Sequence, residues 1–381
     1  MVPAALAEPH VPVDDAVVLE RLPAAGDPQV REARALAREL AAERPGDLEL
    51  ALEVARRYLE LGRAEGDPRY FGLAQGVLAP WWAAPEPPAG VRLVRAGVRQ
   101  ALHDFAGARA DLDALLAANP NSVQGQLNRA ALLEALGDFR GAERACARVT
   151  RLRPGLAGEA CLAGAMSLSG LARPAYDRLA AALQAVPPAG GDDGVRLWAL
   201  TTLGEIAARL GDAGAAERHF RDALSLGRRD VYLLAALADL LLDGGRDAEA
   251  ARLLAGETAA DTLLLRRAIA LERLGDPAAE GLRRALAARF AAVRLRGDVP
   301  HLREEARSAL ELEGDAGKAL ALARENWEVQ RGPADARVLL EAALATRDPG
   351  AARPVLDWLA TTGVEAVTLA RLAERLVGSA S

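Results

Sequence analysis

The chain has 381 residues, with 47 basic and 53 acidic side chains, and its formal net charge is −6. Charges of both signs are interspersed along the chain, which argues against a nucleic-acid-binding protein, because such proteins concentrate basic residues on one face. Hydrophobic residues make up 51% of the chain, enough for a sizeable core, but no run of about 20 apolar residues is present, so the sequence predicts no membrane span.

The first residues resemble the end of an export signal. Ala5-Leu6-Ala7 before Glu8 matches the small-residue end of a secretory signal peptide, although the basic and apolar regions of such a signal do not precede it. We therefore expect a periplasmic or secreted protein. The alternative is a cytoplasmic protein, since Ala-Leu-Ala is common in an alanine-rich chain. Residues 1–13 carry three prolines and are predicted to be a disordered tail.

Residues 14–88 are predicted to form divergent helix pairs. A short helix is expected over residues 14–22, and a longer one from Pro28 to Leu40. The next pair takes residues 47–83. Its first helix is predicted from apolar residues at three- and four-residue steps, which are Leu50, Val54, Ala55 and Tyr58. Three prolines in residues 84–90 mark a rigid loop after this pair.

A regular array of helix pairs is predicted over residues 89–363. The turn between two helices recurs at His103, Gly137 and Gly170, at separations of 34 and 33 residues. The next turn, at Gly211, comes 41 residues later, because residues 187–194 carry an insertion that costs little in a loop. Residues 364–381 are predicted to hold a capping helix, from Val364 to Val377, and a tail. The predicted units of the array are 89–122, 123–155, 156–189, 197–230, 231–260, 261–298, 299–332 and 333–363.

The stretch 197–230 shows most clearly how one unit folds. Gly211 ends the first helix, since glycine readily adopts the left-handed conformation of a helix C-terminus, and the Asp212 carboxylate caps the second helix. Gly204 and Ala216 are small where the two helices are expected to cross, and large side chains there would cost about 1–3 kcal/mol. The apolar face of the first helix comprises Leu200, Leu203, Ala207 and Leu210.

Four Asp-Pro pairs mark helix starts independently of the apolar pattern. Aspartate is a preferred N-cap, and proline is tolerated at the first helical position because its missing N–H would be unpaired there anyway. Each pair stands where the register predicts that a second helix begins. The pairs are Asp27-Pro28, Asp67-Pro68, Asp276-Pro277 and Asp348-Pro349.

This pattern resembles the tetratricopeptide repeat, a helix–turn–helix unit of about 34 residues. The resemblance covers roughly residues 14–363. It implies an all-α fold, a right-handed superhelical solenoid of about nine antiparallel helix pairs with a C-terminal capping helix. The residues that carry it most fully are Leu203-Gly204, Ala207, Gly211-Asp212, Ala216, Phe220 and Ala223-Leu224.

The resemblance also implies a binding groove on the concave surface, which the first helix of each unit lines. In this family, certain positions of the first helix contact ligands, and Glu134 stands at one of them in this sequence. The family's clamp for C-terminal carboxylates is not expected, because only Asn128 fits it. For Trp198 and Tyr232 the alternative role is packing at a helix start. The groove residues predicted to bind a partner are Gln124, Asn128, Trp198, Thr201, Glu205, Tyr232 and Asp239.

The function expected from these features is a non-catalytic scaffold that binds a protein or peptide, with no cofactor, no metal and no nucleic acid. One alternative is an enzyme, which two adjacent buried titratable groups in a cleft would favour. Another is a self-assembling structural protein, which an exposed apolar patch on the last helix or the convex face would favour. The histidines are not spaced as helical metal ligands; they are His10, His103, His219 and His301.

The two cysteines, Cys146 and Cys161, are predicted to lie on adjacent helices of neighbouring units. A disulfide between them requires Cα atoms within about 7 Å. The state that we expect is a pair of small buried hydrophobic side chains, and the disulfide is the alternative.

Overall fold

The computed structural model describes residues 28–187, 192–296 and 301–378, and every regular element in these ranges is a helix. The predicted N-terminal tail, the Ala5-Leu6-Ala7 signal-like segment and the expected helix over residues 14–22 lie outside the described residues. So does the centre of the predicted insertion, residues 188–191. No helix in the described part of the chain is long and apolar enough to cross a membrane.

Nine helix pairs follow one another between α1 (Pro28–Ala42) and the capping helix α21 (Val367–Gly378). This arrangement confirms the predicted all-α solenoid. The pairs are α2 (Leu48–Glu65) with α3 (Arg69–Val77) and α4 (Ala79–Trp82); α5 (Ala89–Ala101) with α6 (Phe105–Ala118); α7 (Val123–Ala135) with α8 (Phe139–Leu152); α9 (Leu156–Ser167) with α10 (Ala172–Gln184); α11 (Asp193–Arg209) with α12 (Ala213–Leu224); α13 (Val231–Asp243) with α14 (Asp247–Leu253); α15 (Asp261–Arg273) with α16 (Ala278–Arg296); α17 (Leu302–Ser308), continued by a π-helical segment (Ala309–Glu313), with α18 (Ala316–Val329); and α19 (Pro333–Thr346) with α20 (Arg353–Thr362), which a 3-10 turn (Pro349–Ala352) precedes.

The turn inside each pair explains the recurring Gly-Asp dipeptide. The glycine takes a left-handed conformation, with φ of +85° at Gly211, which ends the first helix. The aspartate then caps the second helix, since Asp212 accepts a hydrogen bond from the Ala215 amide at 2.9 Å. Two residues with side chains stand in the glycine's place, His103 with φ of +60° and Arg347 with φ of +55°.

The two helices of a pair approach closely where the first contributes a glycine. A Cβ atom built on Gly204 would overlap the Phe220 ring of the following helix, and one on Gly62 would overlap the Phe71 ring. Both rings are buried. The prediction that Gly204 lies at a close helix crossing is therefore confirmed.

The spiral returns upon itself, so that later repeats lie over the predicted concave groove. The Ala172 amide at the start of α10 donates to the Glu365 carboxylate at 2.7 Å, although the two residues are 193 positions apart. The Arg331 amide donates to the Ala135 carbonyl at 3.1 Å. Residues 364–366 belong to no helix, and α21 begins at Val367 rather than at the predicted Val364.

The expectation of two unbonded cysteines is wrong. Cys146 on α8 and Cys161 on α9 form a disulfide, with their Cα atoms 5.4 Å apart. Both residues are buried. The bond links the second helix of one pair to the first helix of the next, which the nesting of adjacent pairs brings within disulfide distance.

The left-handed turn positions allow a matched test of backbone strain. Gly245 has a φ of +68° and open space where a Cβ would lie, so only the backbone conformation opposes a side chain there, and Gly245→Ala should lower the free energy of unfolding by about 1 kcal/mol. Arg347→Gly should raise the free energy of unfolding by about 0.5 kcal/mol. Glycine relieves the strain of the left-handed conformation, and this gain exceeds the loss from the greater entropy of glycine in the unfolded chain. Urea denaturation followed by circular dichroism measures both, and a loss of stability in Arg347→Gly would contradict the argument.

The disulfide closes a loop of 15 residues, for which chain entropy gives a stabilisation of about 3 kcal/mol. We expect a reducing agent to lower the free energy of unfolding of the native protein by about this amount. The double variant Cys146→Ala, Cys161→Ala should be similarly destabilised and should not respond to the reducing agent. An equal response of both proteins would show that the reductant acts elsewhere.

Candidate functional site

The first helices of successive pairs surround a cavity of about 1100 Å³, which we call the central chamber. Helices α7, α9, α11 and α13 from the middle of the chain line it, together with α15. Helices α17, α19 and α21 also line it, because the C-terminal repeats return over the trough. The concave surface of the spiral is thereby partly enclosed.

Five of the seven predicted groove residues line the central chamber: Trp198, Thr201, Glu205, Tyr232 and Asp239. The remaining two, Gln124 and Asn128, are not among its lining residues. They are bonded to each other, with Gln124 Nε2 donating to Asn128 Oδ1 at 2.9 Å. The structure thus brings five of the predicted groove residues together on α11 and α13. The role of these residues in binding a partner stays a prediction.

The two predicted aromatic anchors differ in how they are held. Tyr232 keeps 60% of its surface exposed and Trp198 keeps 38%, although both lie among the residues that line the chamber. The Tyr232 hydroxyl donates a hydrogen bond to the Glu205 carboxylate. Exposure on this scale favours a recognition surface over helix-start packing for Tyr232, since a packed aromatic ring is normally covered.

Two carboxylates on α7 and α11 stand close to each other in the chamber. Burial raises the pKa of Glu134 to about 7, and the neighbouring Glu205 adds to this rise while Arg209 opposes it. Burial likewise raises the pKa of Glu205, against the lowering effects of Arg209 and of the bond from Tyr232. Gly164 on α9 lies beside the Glu134 carboxylate. A Cβ atom added to this glycine would lie 3.8 Å from Glu134 Oε1.

Asp239 lies at the centre of an ion-pair network that joins distant repeats. Its carboxylate accepts from Arg266 and from Arg307, each at 2.6 Å. Burial alone would raise the pKa of Asp239, but the two guanidinium groups hold it far below its usual range. Arg307 also pairs with Glu311 at 2.8 Å. Removing one partner from such a network leaves an uncompensated buried charge, which is strongly destabilising.

Two further clusters bring the C-terminal repeats into the chamber. Arg303 contacts Glu304 at 3.0 Å and Asp335 at 3.5 Å. Burial would raise the pKa of Glu304, but the adjacent Arg303 contributes most to lowering it to about 2. Arg337 on α19 forms a bidentate pair with Asp243 on α13, with both distances 2.7 Å. The Arg303–Asp335 contact links α17 to α19, and the Arg337–Asp243 pair holds α19 against α13.

Three of the four histidines, His103, His219 and His301, lie in the described residues, whereas His10 lies outside them. His103 takes the left-handed turn before α6, and its ring lies 5.7 Å from that of His301. Burial, with His301 beside it, lowers the pKa of His103 to about 4. His219 is half-buried and hydrogen-bonds the Tyr176 hydroxyl at 2.8 Å. Across the described ranges, no three His, Cys, Asp or Glu side chains are grouped so that they could hold a metal ion.

No protein-family model matches the sequence, and no curated protein matches it either. Among solved structures, the Rap protein complexed with competence and sporulation factor superposes on this chain with a TM-score of 0.51. That match is 14% identical in sequence and covers 92% of this chain and 97% of the Rap chain. The chain has the tetratricopeptide-repeat fold.

Other solved structures are similar over much of the chain. The human IFIT1 dimer with PPP-AAAA is 12% identical, covers 93% of this chain and 90% of its own, and has a TM-score of 0.48. A tetratricopeptide repeat protein from Parabacteroides merdae is 13% identical, covers 77% of this chain and 98% of its own, and has a TM-score of 0.40. At such identities the likeness concerns the tetratricopeptide-repeat fold alone.

The charged residues of the chamber that sequence reasoning missed include Arg303, Glu304 and Arg307. The signal that could have found them is the tetratricopeptide-repeat register itself. These residues occupy the fifth, sixth and ninth places of the unit that begins at residue 299, which are ligand-contacting places in the family. What the register does not reveal is that this late unit faces the same chamber as the middle ones.

The raised pKa of Glu134 predicts a pH-dependent cost to folding. The folded protein keeps the Glu134 proton up to about pH 7, whereas an unfolded chain loses it near the ordinary glutamate pKa of 4.5, so the stability contributed by this group falls as the pH rises through that window. At about 1.4 kcal/mol per pKa unit, Glu134→Gln should raise the free energy of unfolding by up to about 3 kcal/mol at pH 8 and leave it unchanged at pH 4.5.

Urea denaturation of the native protein and of Glu134→Gln at these two pH values measures this difference. The exposed Glu328, whose side chain is 78% accessible, provides the control variant Glu328→Gln, for which we expect no effect at either pH. The same stability change at both pH values in Glu134→Gln would contradict the assignment of a raised pKa.

Proposed function

We propose that this protein binds an extended peptide segment, free or part of a protein chain, inside the central chamber. The observation that carries this proposal is the pair of uncovered rings, Trp198 and Tyr232, which line a chamber in the interior of the spiral. Aromatic residues are frequent anchors at protein interfaces because they bury a large area when a partner covers them. A chamber that leaves both rings exposed is prepared for an occupant.

The size and polarity of the chamber support a peptide over a small molecule. Its volume of about 1100 Å³ exceeds that of most sites for drug-sized ligands, which are about 300–1,000 Å³. Hydroxyl, carboxylate and guanidinium groups from several helices border it. A peptide carries an N–H donor and a carbonyl acceptor on nearly every residue, so it suits a wall that presents both donors and acceptors.

The tetratricopeptide-repeat fold offers a further line of support. Repeat solenoids present extended concave surfaces, which serve as binding surfaces. The Rap protein, with a similar fold, has been solved as a complex with competence and sporulation factor. The proposal for this chain is of the same general kind, an occupant held within the spiral.

A second candidate function, catalysis, is favoured by one observation. Glu134 and Glu205 are neighbouring carboxylates in a cavity, and burial raises the pKa of both, a condition that also occurs at catalytic sites. Mass spectrometry of a bound peptide after prolonged incubation separates the two functions. Recovery of the intact peptide supports binding alone, whereas conversion that Glu134→Gln abolishes supports an enzyme.

We further propose that the protein acts in an oxidising compartment, the periplasm or the extracellular space. The Cys146–Cys161 disulfide supports this location, because disulfides persist in oxidising environments and are rare in the cytosol. The test begins with acid quenching of native-host cells. The protein is then denatured in the presence of a maleimide reagent, and its mass shows how many cysteines carry the label. Two labelled cysteines would favour a cytoplasmic location instead.

Peptide selection tests the proposed function and does not require that the partner be identified first. Random peptides displayed on phage are selected on the immobilised protein, and the enriched sequences are synthesised and titrated by calorimetry. We expect Trp198→Ala and Tyr232→Ala each to weaken binding about tenfold or more, since truncation of a central aromatic anchor commonly costs about 2 kcal/mol.

The control variant is Leu274→Ala. Leu274 is 49% exposed and does not belong to the chamber lining, so its truncation should leave the affinity within about twofold of that of the native protein. Failure to enrich any peptide would contradict the proposed function. Equal binding by the native protein and both aromatic variants would place the peptide outside the chamber.

A further inference from the structure

The lining of the central chamber carries an excess of negative charge. Its acidic members outnumber its basic members by eight to six, a net charge of −2 when all of them are ionised. The acidic residues are Glu134, Glu205, Asp230, Asp239, Asp243, Glu304, Asp335 and Glu341, and the basic residues are Arg63, Arg209, Arg266, Arg303, Arg307 and Arg337.

Most of these charges have partners inside the protein. Asp239 pairs with Arg266 and Arg307. Arg303 contacts Glu304 and Asp335, and Arg337 contacts Asp243 and Glu341 at 2.7 Å each. Asp230 caps α13 by accepting from the Leu233 amide at 2.9 Å. Of the lining carboxylates, the two on α7 and α11, Glu134 and Glu205, take part in none of these pairs.

Glu134 and Glu205 lack a direct cationic partner. Within the part of the chain that the structure describes, the Glu134 carboxylate has neither a hydrogen bond nor an ion pair, and Glu205 accepts only the Tyr232 hydroxyl. Arg209 is close enough to act on both electrostatically, but its guanidinium donates to the Ser167 hydroxyl and forms no ion pair with either carboxylate. Two neighbouring carboxylates without an ion-pair partner are costly to ionise together in a cavity.

We propose that the peptide bound in the chamber contributes a cationic group, an arginine guanidinium or a lysine amine, which lies between the Glu134 and Glu205 carboxylates. This inference rests on the proposed function and specifies the chemistry of the occupant. The bound cation supplies the direct ion pair that these two carboxylates lack. Gly164 borders this position, since a Cβ atom added there would lie 3.8 Å from Glu134 Oε1 and 3.9 Å from the Thr202 methyl carbon.

The aromatic rings near this position reinforce the choice of a cation. Tyr232 is bonded to Glu205, and Trp198 lies two turns before Glu205 on the same side of α11. The faces of tyrosine and tryptophan rings attract guanidinium and ammonium groups. An anionic residue at the same place would meet two carboxylates, so acidic peptides should be excluded rather than merely bound more weakly.

The test compares three synthetic hexapeptide pools that differ at one central residue, which is arginine, citrulline or glutamate. Citrulline has nearly the shape of arginine and no charge. Each pool is passed over the immobilised full-length protein at pH 8, and the retained peptides are quantified by mass spectrometry. We expect at least tenfold greater retention of the arginine pool than of the citrulline pool, and no retention of the glutamate pool.

The double variant Glu134→Gln, Glu205→Gln keeps the shape of both side chains and removes their charge. We expect the ratio of arginine to citrulline retention to fall to about one, while retention of the citrulline pool persists. Glu328→Gln, on the protein surface, should keep the full preference. Circular dichroism and a urea titration of each variant confirm that it is folded before its retention is compared.

The outcomes separate this inference from the function on which it rests. Equal retention of all three pools would overturn the cationic site and leave peptide binding intact. A preference for arginine that survives in the double variant would also overturn it, since the cation would then lie elsewhere. Retention of no pool by the native protein would overturn both proposals.

Discussion

The return of the C-terminal repeats onto the turns of the middle repeats is the constraint on which the rest of the structure depends. Without it, the first helices would line an open trough, as in a spiral whose ends lie far apart. The bond from the Ala172 amide to Glu365 and the Arg337–Asp243 pair join segments that are widely separated in sequence. They convert a one-dimensional stack, in which each unit contacts only its neighbours, into a body with an interior.

The arginine–carboxylate pairs in that interior matter more for arrangement than for net stability. Burying such a pair costs much of the Coulombic attraction that it gains, whereas separating it leaves a charge uncompensated and costs about 3–5 kcal/mol. This cost opposes a shift of α17, which would separate Asp239 from Arg307. The Arg337–Asp243 pair opposes a shift of α19 more weakly, because the Asp243 side chain is 39% accessible. The same reasoning identifies Glu134, which has no such pair, as the place where an occupant can improve the electrostatics.

The helices and turns could be predicted from sequence because their causes are local. Gly211 and Asp212 end one helix and cap the next through bonds within a few residues, and the spacing of apolar residues places the faces. The closure could not be predicted, since it depends on the summed rotation of nine pairs. For the same reason five groove residues were found, while Arg303 and Arg307 were missed. The disulfide was left open because sequence gives the adjacency of Cys146 and Cys161 but not the direction of their Cβ atoms.

The disulfide between α8 and α9 has a mechanical consequence. A stack of repeats ordinarily frays from its ends inward, since the terminal units have one neighbour each and open at low free energy. A covalent link across a junction between units halts such unzipping at that point. If the two ends of the chain were pulled apart, the outer helix pairs would unfold first. The segment from α7 to α10, which contains the disulfide, would be the last to unfold.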